Sequence, residues 1–326
     1  MSNFLRTVLV QNRAEAADRT FQEDLPVNPL SVVLVTLRGD IVAGDTDSTL
    51  AEFFATVSDL GIQFRGQDIV RGSLQDLAMI NAIAFGWTPW GYRQQDATDE
   101  TWTITVPILL GRKAYDPMEC FPAVRRGELR LEMTIDVTNG NSNLEELQIE
   151  TVELLDGQPK SFVKYTANQH TFTGTGQDRV RLPIGNPLLG VMLFGTTHPT
   201  GSVRTATWEQ LRLKVDNVES LYARTNWDSL HGEMGRRFRG FGDFLAPHIH
   251  RYNGAAAAFA NSLSNQRAAA TIESYAYMDF DPAQDRTGML ETSGRADVEI
   301  QRDAGTADLG RFTPIELVSV SQASGA

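Results

Sequence analysis

The sequence predicts a mainly antiparallel β chain, built as two tandem β-sandwiches or jelly rolls. Three observations carry that class. Residues 128–137 read Glu-Leu-Arg-Leu-Glu-Met-Thr-Ile-Asp-Val, so Leu129, Leu131, Met133, Ile135 and Val137 share one face of a strand and the polar residues share the other. The same alternation recurs at Trp102, Ile104, Val106 and Ile108 against Thr101, Thr103 and Thr105, and at Leu211, Leu213 and Val215 against Arg212, Lys214 and Asp216. The chain has 326 residues, more than one sandwich of about 100–150 residues uses, and turn residues such as Asn139-Gly140 and Asn217 end the runs.

The elements follow in order. Residues 3–20 put Phe4, Leu5, Val8 and Leu9 on one side of a helix, with Arg6, Arg13 and Arg19 elsewhere. Two readings are open there: a helix packed on its own domain, or an arm that reaches a neighbour or a lipid surface. Residues 30–43 are β-branched and make the first long strand; Ile62, Phe64, Ile69 and Val70 mark one or two more within 59–71. Over 73–85 the period changes to helical, with Ser73 as cap and Leu74, Leu77, Met79, Ile80 and Ile83 as a buried stripe. A Gly/Pro/aromatic loop at 86–92 ends it. Strands follow at 101–110, 128–138 and 146–155.

Asp156-Gly157-Gln158-Pro159-Lys160 breaks the pattern, so the domains are expected at 1–25 (arm), 26–157 and 158–326. The second half holds strands at 161–172, 178–184, 187–196 and 206–216, and a helix at 226–239. An irregular to helical stretch spans 240–270. Closing strands lie near 271–281, 287–301 and 311–320. Many short strands with turn signals between them argue for sandwiches or jelly rolls. A helix inserted in each half is the unusual detail.

Composition narrows the function. With 41% apolar and 21% charged residues, a packed core is within reach. A net charge of −12 disfavours a nucleic-acid groove, so no sequence-specific nucleic-acid partner is expected. The single cysteine, Cys120, excludes an intrachain disulfide and a Cys-based zinc site. No signal-peptide pattern and no spanning apolar run is present, so a soluble chain made in the cytoplasm is expected.

Candidate chemistry is sparse. His248 and His250 share a face if extended, but the cupin pattern fails because Arg251-Tyr252-Asn253-Gly254 follows. Asp279, Asp281 and Asp285 have the alternating oxygen ligands of a calcium loop, yet lack its glycine and closing Glu; a solvated turn is the competing reading. Arg236-Arg237-Phe238-Arg239 is the one dense basic cluster, read as ion pairing with a neighbour's carboxylates or as a helix C-cap. The glycines at 232, 235, 240 and 242 form no phosphate loop, and no Gly-x-Ser-x-Gly elbow occurs. Trp87, Trp90 and Tyr92 suit either a sugar-stacking platform or a subunit contact. Cys120 reads as a small buried residue.

The order of elements resembles the double jelly-roll major capsid proteins of tailless icosahedral viruses, including bacteriophages with an internal membrane. The resemblance runs from about residue 25 to 320 and rests on four stretches. These are the helix at 73–85 with the aromatics after it; the strand 103–114 with its Val-Pro-Ile pattern, then Tyr115-Asp116 and the charged strand 123–136; residues 187–197 with 208–217 and the helix 226–238 carrying Arg236-Arg237; and Tyr275-Ala276-Tyr277-Met278-Asp279-Phe280 with 298–302 and 313–320. Two departures stand out: the chain is compact, so tall surface towers are not expected, and 240–270 matches no part of the pattern.

The resemblance implies a structural protein without catalysis or cofactor. It implies homotrimers of six-sided outline that tile an icosahedral shell, with strands standing perpendicular to it. Partners would be neighbouring trimers, penton or minor capsid proteins, and an internal lipid membrane through the N-terminal arm. The location would be the virion, after synthesis in a host cytoplasm. Assembly candidates are Phe4, Leu5, Val8, Leu9, Trp87, Trp90, Arg236 and Arg237, with the helices at 73–85 and 226–239. The alternative is a carbohydrate-binding or carbohydrate-active double β-sandwich using the Trp87, Trp90 and Tyr92 cluster.

Overall fold

A computed structural model describes residues 3–41, 50–95, 101–140, 142–174, 177–199, 205–237, 249–253 and 271–323. The elements of the first half are β1 (Phe4–Ala14), β2 (Arg19–Asp24), β3 (Leu30–Ile41), α1 (Leu50–Ala55), β4 (Val57–Phe64), β5 (Gln67–Gly72), α2 (Leu74–Phe85), β6 (Trp90–Gln95), β7 (Thr101–Leu109), β8 (Leu129–Ile135), β9 (Thr138–Asn139), β10 (Ser142–Leu154) and β11 (Ser161–Thr166). Then come β12 (Asn168–Thr171), β13 (Asp178–Arg181), β14 (Leu188–Gly195), β15 (Gln210–Val215), β16 (Val218–Glu219), β17 (Thr225–Asn226), α3 (Trp227–Met234), β18 (Ile249–Asn253), β19 (Tyr275–Asp279), β20 (Val298–Ala304) and β21 (Leu309–Ser319). The chain divides into two compact units. The first holds the described residues up to Val163 together with β18; the second holds those of Lys164–Arg239 and from Glu273 onward.

In the first unit one sheet runs β1-β10-β3-β7-β6-β18, with β9 on β10. Its pairs are antiparallel except β18, which runs parallel to β6. The other sheet orders β5-β4-β8-β2. Register turns the alternation into rows. Val33, Val35 and Leu37 lie opposite Ile108, Val106 and Ile104 on one side, and opposite Thr151, Ile149 and Leu147 on the other. All nine are buried. Each apolar member contributes about 1.5–3 kcal/mol by leaving water. Leu129, Leu131, Met133 and Ile135 of β8 are buried as the sequence predicts.

Helix α2 is apolar on nearly every side and is therefore an interior helix. Ser73 caps it by accepting the Asp76 N–H at 3.2 Å, and Gly86, at φ 72°, ends it in the left-handed region that a glycine enters without strain. Buried Asn81 joins it to β7: its amide donates to the Leu77 carbonyl at 2.7 Å and accepts the Leu109 N–H at 2.9 Å. Phe85, Trp87 and Ala114 close over Val32, Leu34, Leu109 and Val152 of the first sheet.

The second unit pairs β19-β14-β21, with β12 on β21, and β13-β20-β15-β16, with β17 on β15. Leu211 and Leu213 alternate inward as expected and join Val180, Val298, Ile300, Val191, Leu193, Ala276, Met278 and Trp208 in one core. Asp216 and Asn217, at φ 51° and 65°, make the turn from β15 to β16. Arg302 is fully buried. It pairs with Asp178 at 2.6 Å, donates to the Thr207 and Thr306 carbonyls at 2.8 Å each, and lies 4.0 Å above the Phe172 ring.

The N-terminal expectation is corrected. Residues 4–14 and 19–24 are strands, not an amphipathic helix or a helical arm. The physical reason lies in the ladder. β1 pairs with β10 through irregularities between Val8 and Val10 and between Val10 and Arg13. Over residues 4–8 the ladder is regular, so Phe4 and Val8 lie on one face of β1 and Leu5 on the other; a strand with apolar residues on both faces mimics helical spacing. Two further limits move: α3 ends at Met234, and within 287–301 only Val298 onward is strand. Of 240–270, only β18 is described, and it is a strand.

Candidate assembly surfaces

β1 is an edge strand of its sheet. Phe4, Leu5 and Val8 are 58%, 45% and 48% exposed, and Leu9 is half-buried. Phe4 meets Tyr115 edge-on at a ring distance of 5.3 Å, and Tyr115 is itself held at φ 63°. Arg6 pairs with Glu150 of β10. The four apolar candidates of the N-terminus therefore sit on one strand, and three of them face solvent.

The aromatic candidates separate. Trp87 is half-buried in its own unit, beneath which Val32 and Leu34 lie. Trp90 starts β6 opposite Thr105 and is 55% exposed. The Tyr92 side chain is outside the described residues. Trp87 thus packs against its own unit, whereas Trp90 faces solvent. Helix α2 is likewise enclosed by its own unit and offers no contact surface.

The two arginines separate as well. Arg237, 9% exposed, grips Asp279 through Nη2 at 2.5 Å and Nε at 2.8 Å, and also donates to the Asp281 carbonyl at 2.9 Å. Arg236 is 57% exposed and reaches Asp279 only at 3.3 Å. The cluster thus pairs with a carboxylate of its own chain, next to the end of α3. Phe238 and Arg239 lie outside the described residues.

The acidic loop is turned toward donors. Asp281 accepts the Arg286 N–H at 3.1 and 3.3 Å, and Asp285 accepts the Thr287 hydroxyl at 2.6 Å and its N–H at 2.9 Å. Those bonds hold the Asp285 carboxyl below its ordinary range. Among the described residues no three His, Cys, Asp or Glu side chains converge as a metal site. His248 is not among them, and for His250 only the strand is described. Burial, then Asp116 and Glu119, push the Cys120 thiol up to about 12; this fully buried sulfur is no nucleophile.

Two groups escape a motif search. Ser274 bonds His198 at 3.3 Å, and His231 meets Glu273 at 3.5 Å and the Tyr275 carbonyl at 2.7 Å. Glu153 is 3% exposed, in phase with Leu147, Ile149 and Thr151 on β10. A carboxylate at an apolar phase is the signal that marks it. It borders a groove of about 740 Å³ between the edges of the two sheets of the first unit.

No family model and no curated protein matches the sequence. Structures do. The STIV MCP is similar over 99% of this chain and 99% of that chain, at 12% identity and a TM-score of 0.70. The major capsid protein P2 from bacteriophage PM2 is similar over 97% of this chain and 99% of that chain, at 10% identity and a TM-score of 0.58. A chain of the PBCV-1 virus capsid is similar over 97% and 94%, at 10% identity and a TM-score of 0.58. At such identities the likeness is one of fold. It bears out the double jelly roll read from the order of elements.

Proposed function

We propose that this chain, a double jelly roll, is a structural subunit of a viral capsid that acts by packing against copies of itself. One observation carries the reading: the similarity to capsid proteins takes in 97–99% of this chain, so the fold uses the chain almost from end to end. The finer picture is a homotrimer of six-sided outline, with the two compact units of each copy as its jelly rolls, tiling an icosahedral shell. Neighbouring trimers and vertex or minor proteins would be the partners, and the virion the location. Catalysis has no part in this role.

Obligate contacts of this kind bury on the order of 2,000–5,000 Å² and are more apolar than free surface. The exposed apolar residues of β1 and Trp90 suit that demand. The arginines suit it less, since Arg237 serves its own unit. A lipid partner is not required, because residues 4–14 form a sheet edge rather than an amphipathic helix. Electron micrographs of concentrated protein test the reading. Six-sided particles or closed shells are expected; uniformly small, unassociated particles would overturn it.

A further inference from the structure

Glu316 lies on β21, between β14 on one side and β11 on the other. Its side chain is 6% exposed, and each of its oxygens has a different nitrogen beside it. The Asn186 amide donates to Oε2 at 2.8 Å, and the Lys164 ammonium stands 3.6 Å from Oε1. All three residues belong to the second unit. A primary amine, a carboxamide and a buried carboxylate are the groups needed to join the first two as an amide.

Asn186 is held in place for that reaction. Its backbone carbonyl accepts the hydroxyl of fully buried Thr292 at 2.6 Å, and the same hydroxyl accepts the Gly185 N–H at 2.9 Å. The Pro187 carbonyl accepts the Leu317 N–H at 2.9 Å, which ties this loop to the residue after Glu316. Pro187 has no N–H. The common loss of an asparagine amide, by attack of the following backbone nitrogen, is therefore closed to Asn186. Lys164 is freer: its side chain is 34% exposed, and its amine ends a flexible stem that can shorten the gap.

We propose that Lys164 and Asn186 form an intramolecular amide cross-link, with Glu316 as the acid–base group. Glu316 takes a proton from the Lys164 ammonium. The freed electron pair on Nζ attacks Asn186 Cγ, and the Nζ–Cγ bond forms. Glu316 returns the proton to Nδ2, the atom it already touches, and the Cγ–Nδ2 bond breaks. Nζ keeps one hydrogen, the other two leave with Nδ2 as an ammonium ion, and Glu316 ends as a carboxylate. No oxidant or further reactant enters. The inference is independent of the packing role.

The test is intact mass and peptide mapping of the folded full chain, with the variants Lys164→Arg and Glu316→Gln. The parent should be lighter than its sequence by one ammonia and yield a branched peptide joining Lys164 to Asn186. Lys164→Arg keeps a cation beside Glu316 without the amine, and should keep its full mass. Glu316→Gln should form the link about a hundredfold more slowly, or slower still. A parent of full mass after prolonged incubation overturns the proposal, whether or not the variants fold; the contacts are then a plain ion pair and hydrogen bond. An ammonia loss without the branched peptide, as ring closure at Asn139-Gly140 would give, overturns it too. A link that forms equally fast in Glu316→Gln would remove Glu316 from the acid–base role.

Discussion

Helix α2 and strand β1 belong to the same unit, and both are rich in apolar side chains. They use them in opposite directions. Every α2 residue from Leu74 to Ala84 except Gln75 is buried, and the helix is capped at both ends. β1 buries only Val10 and leaves Phe4, Leu5 and Val8 in water. The first pattern is that of a core. The second is that of an exposed sheet edge, the kind of surface a partner can complete. Apolar content alone does not distinguish the two; position in the sheet order does.

The largest effect that would sharpen this contrast is in the helix. Ile80→Ala should cost about 4 kcal/mol of unfolding free energy, read from the urea midpoint, because it removes a fully buried side chain and leaves a cavity. Arg237→Met should cost about 3 kcal/mol by the same measurement, since it strands Asp279 without its buried partner, whereas Arg236→Met should change little. Asn81→Ala should cost about 2 kcal/mol, because the Leu109 N–H loses its acceptor inside the core.

Val8→Ser should shift stability by under about 0.5 kcal/mol while weakening association, measured by light scattering. A loss of several kcal/mol there would break the contrast, since it would make β1 a core strand. Mild acid should leave the contrast in place, because neither element contains histidine. Burial keeps His198 below the ordinary histidine value, with Glu273 opposing and His231 adding to the shift. Its contribution to stability is full above the unfolded value near 6.5 and is lost as pH falls through the lowered folded value. His198→Gln should remove that slope from thermal unfolding.

Much of this was legible in the sequence for a physical reason: period-2 burial leaves a trace wherever one face meets a core. β8, β7 and β15 read correctly because their inward positions, such as Leu131, Val106 and Leu213, admit only apolar side chains. α2 read correctly because Ser73 and Gly86 bracket an apolar run. β1 resembles a helix in sequence because this edge strand carries apolar residues on both faces, Phe4 and Val8 on one and Leu5 on the other. Trp87 and Trp90 look alike in sequence, and only the fold places one under cover and leaves the other open. Arg237 read as a contact residue because its partner, Asp279, lies far along the chain. Glu153 matches no motif as a single carboxylate, although its phase in β10 gives it away.

The central claim is that this fold works by fitting against its own copies. Light scattering of the full chain at micromolar concentration tests it most directly. The account predicts the mass of three chains, growing toward shells as concentration rises. A stable mass of one chain across that range would contradict it.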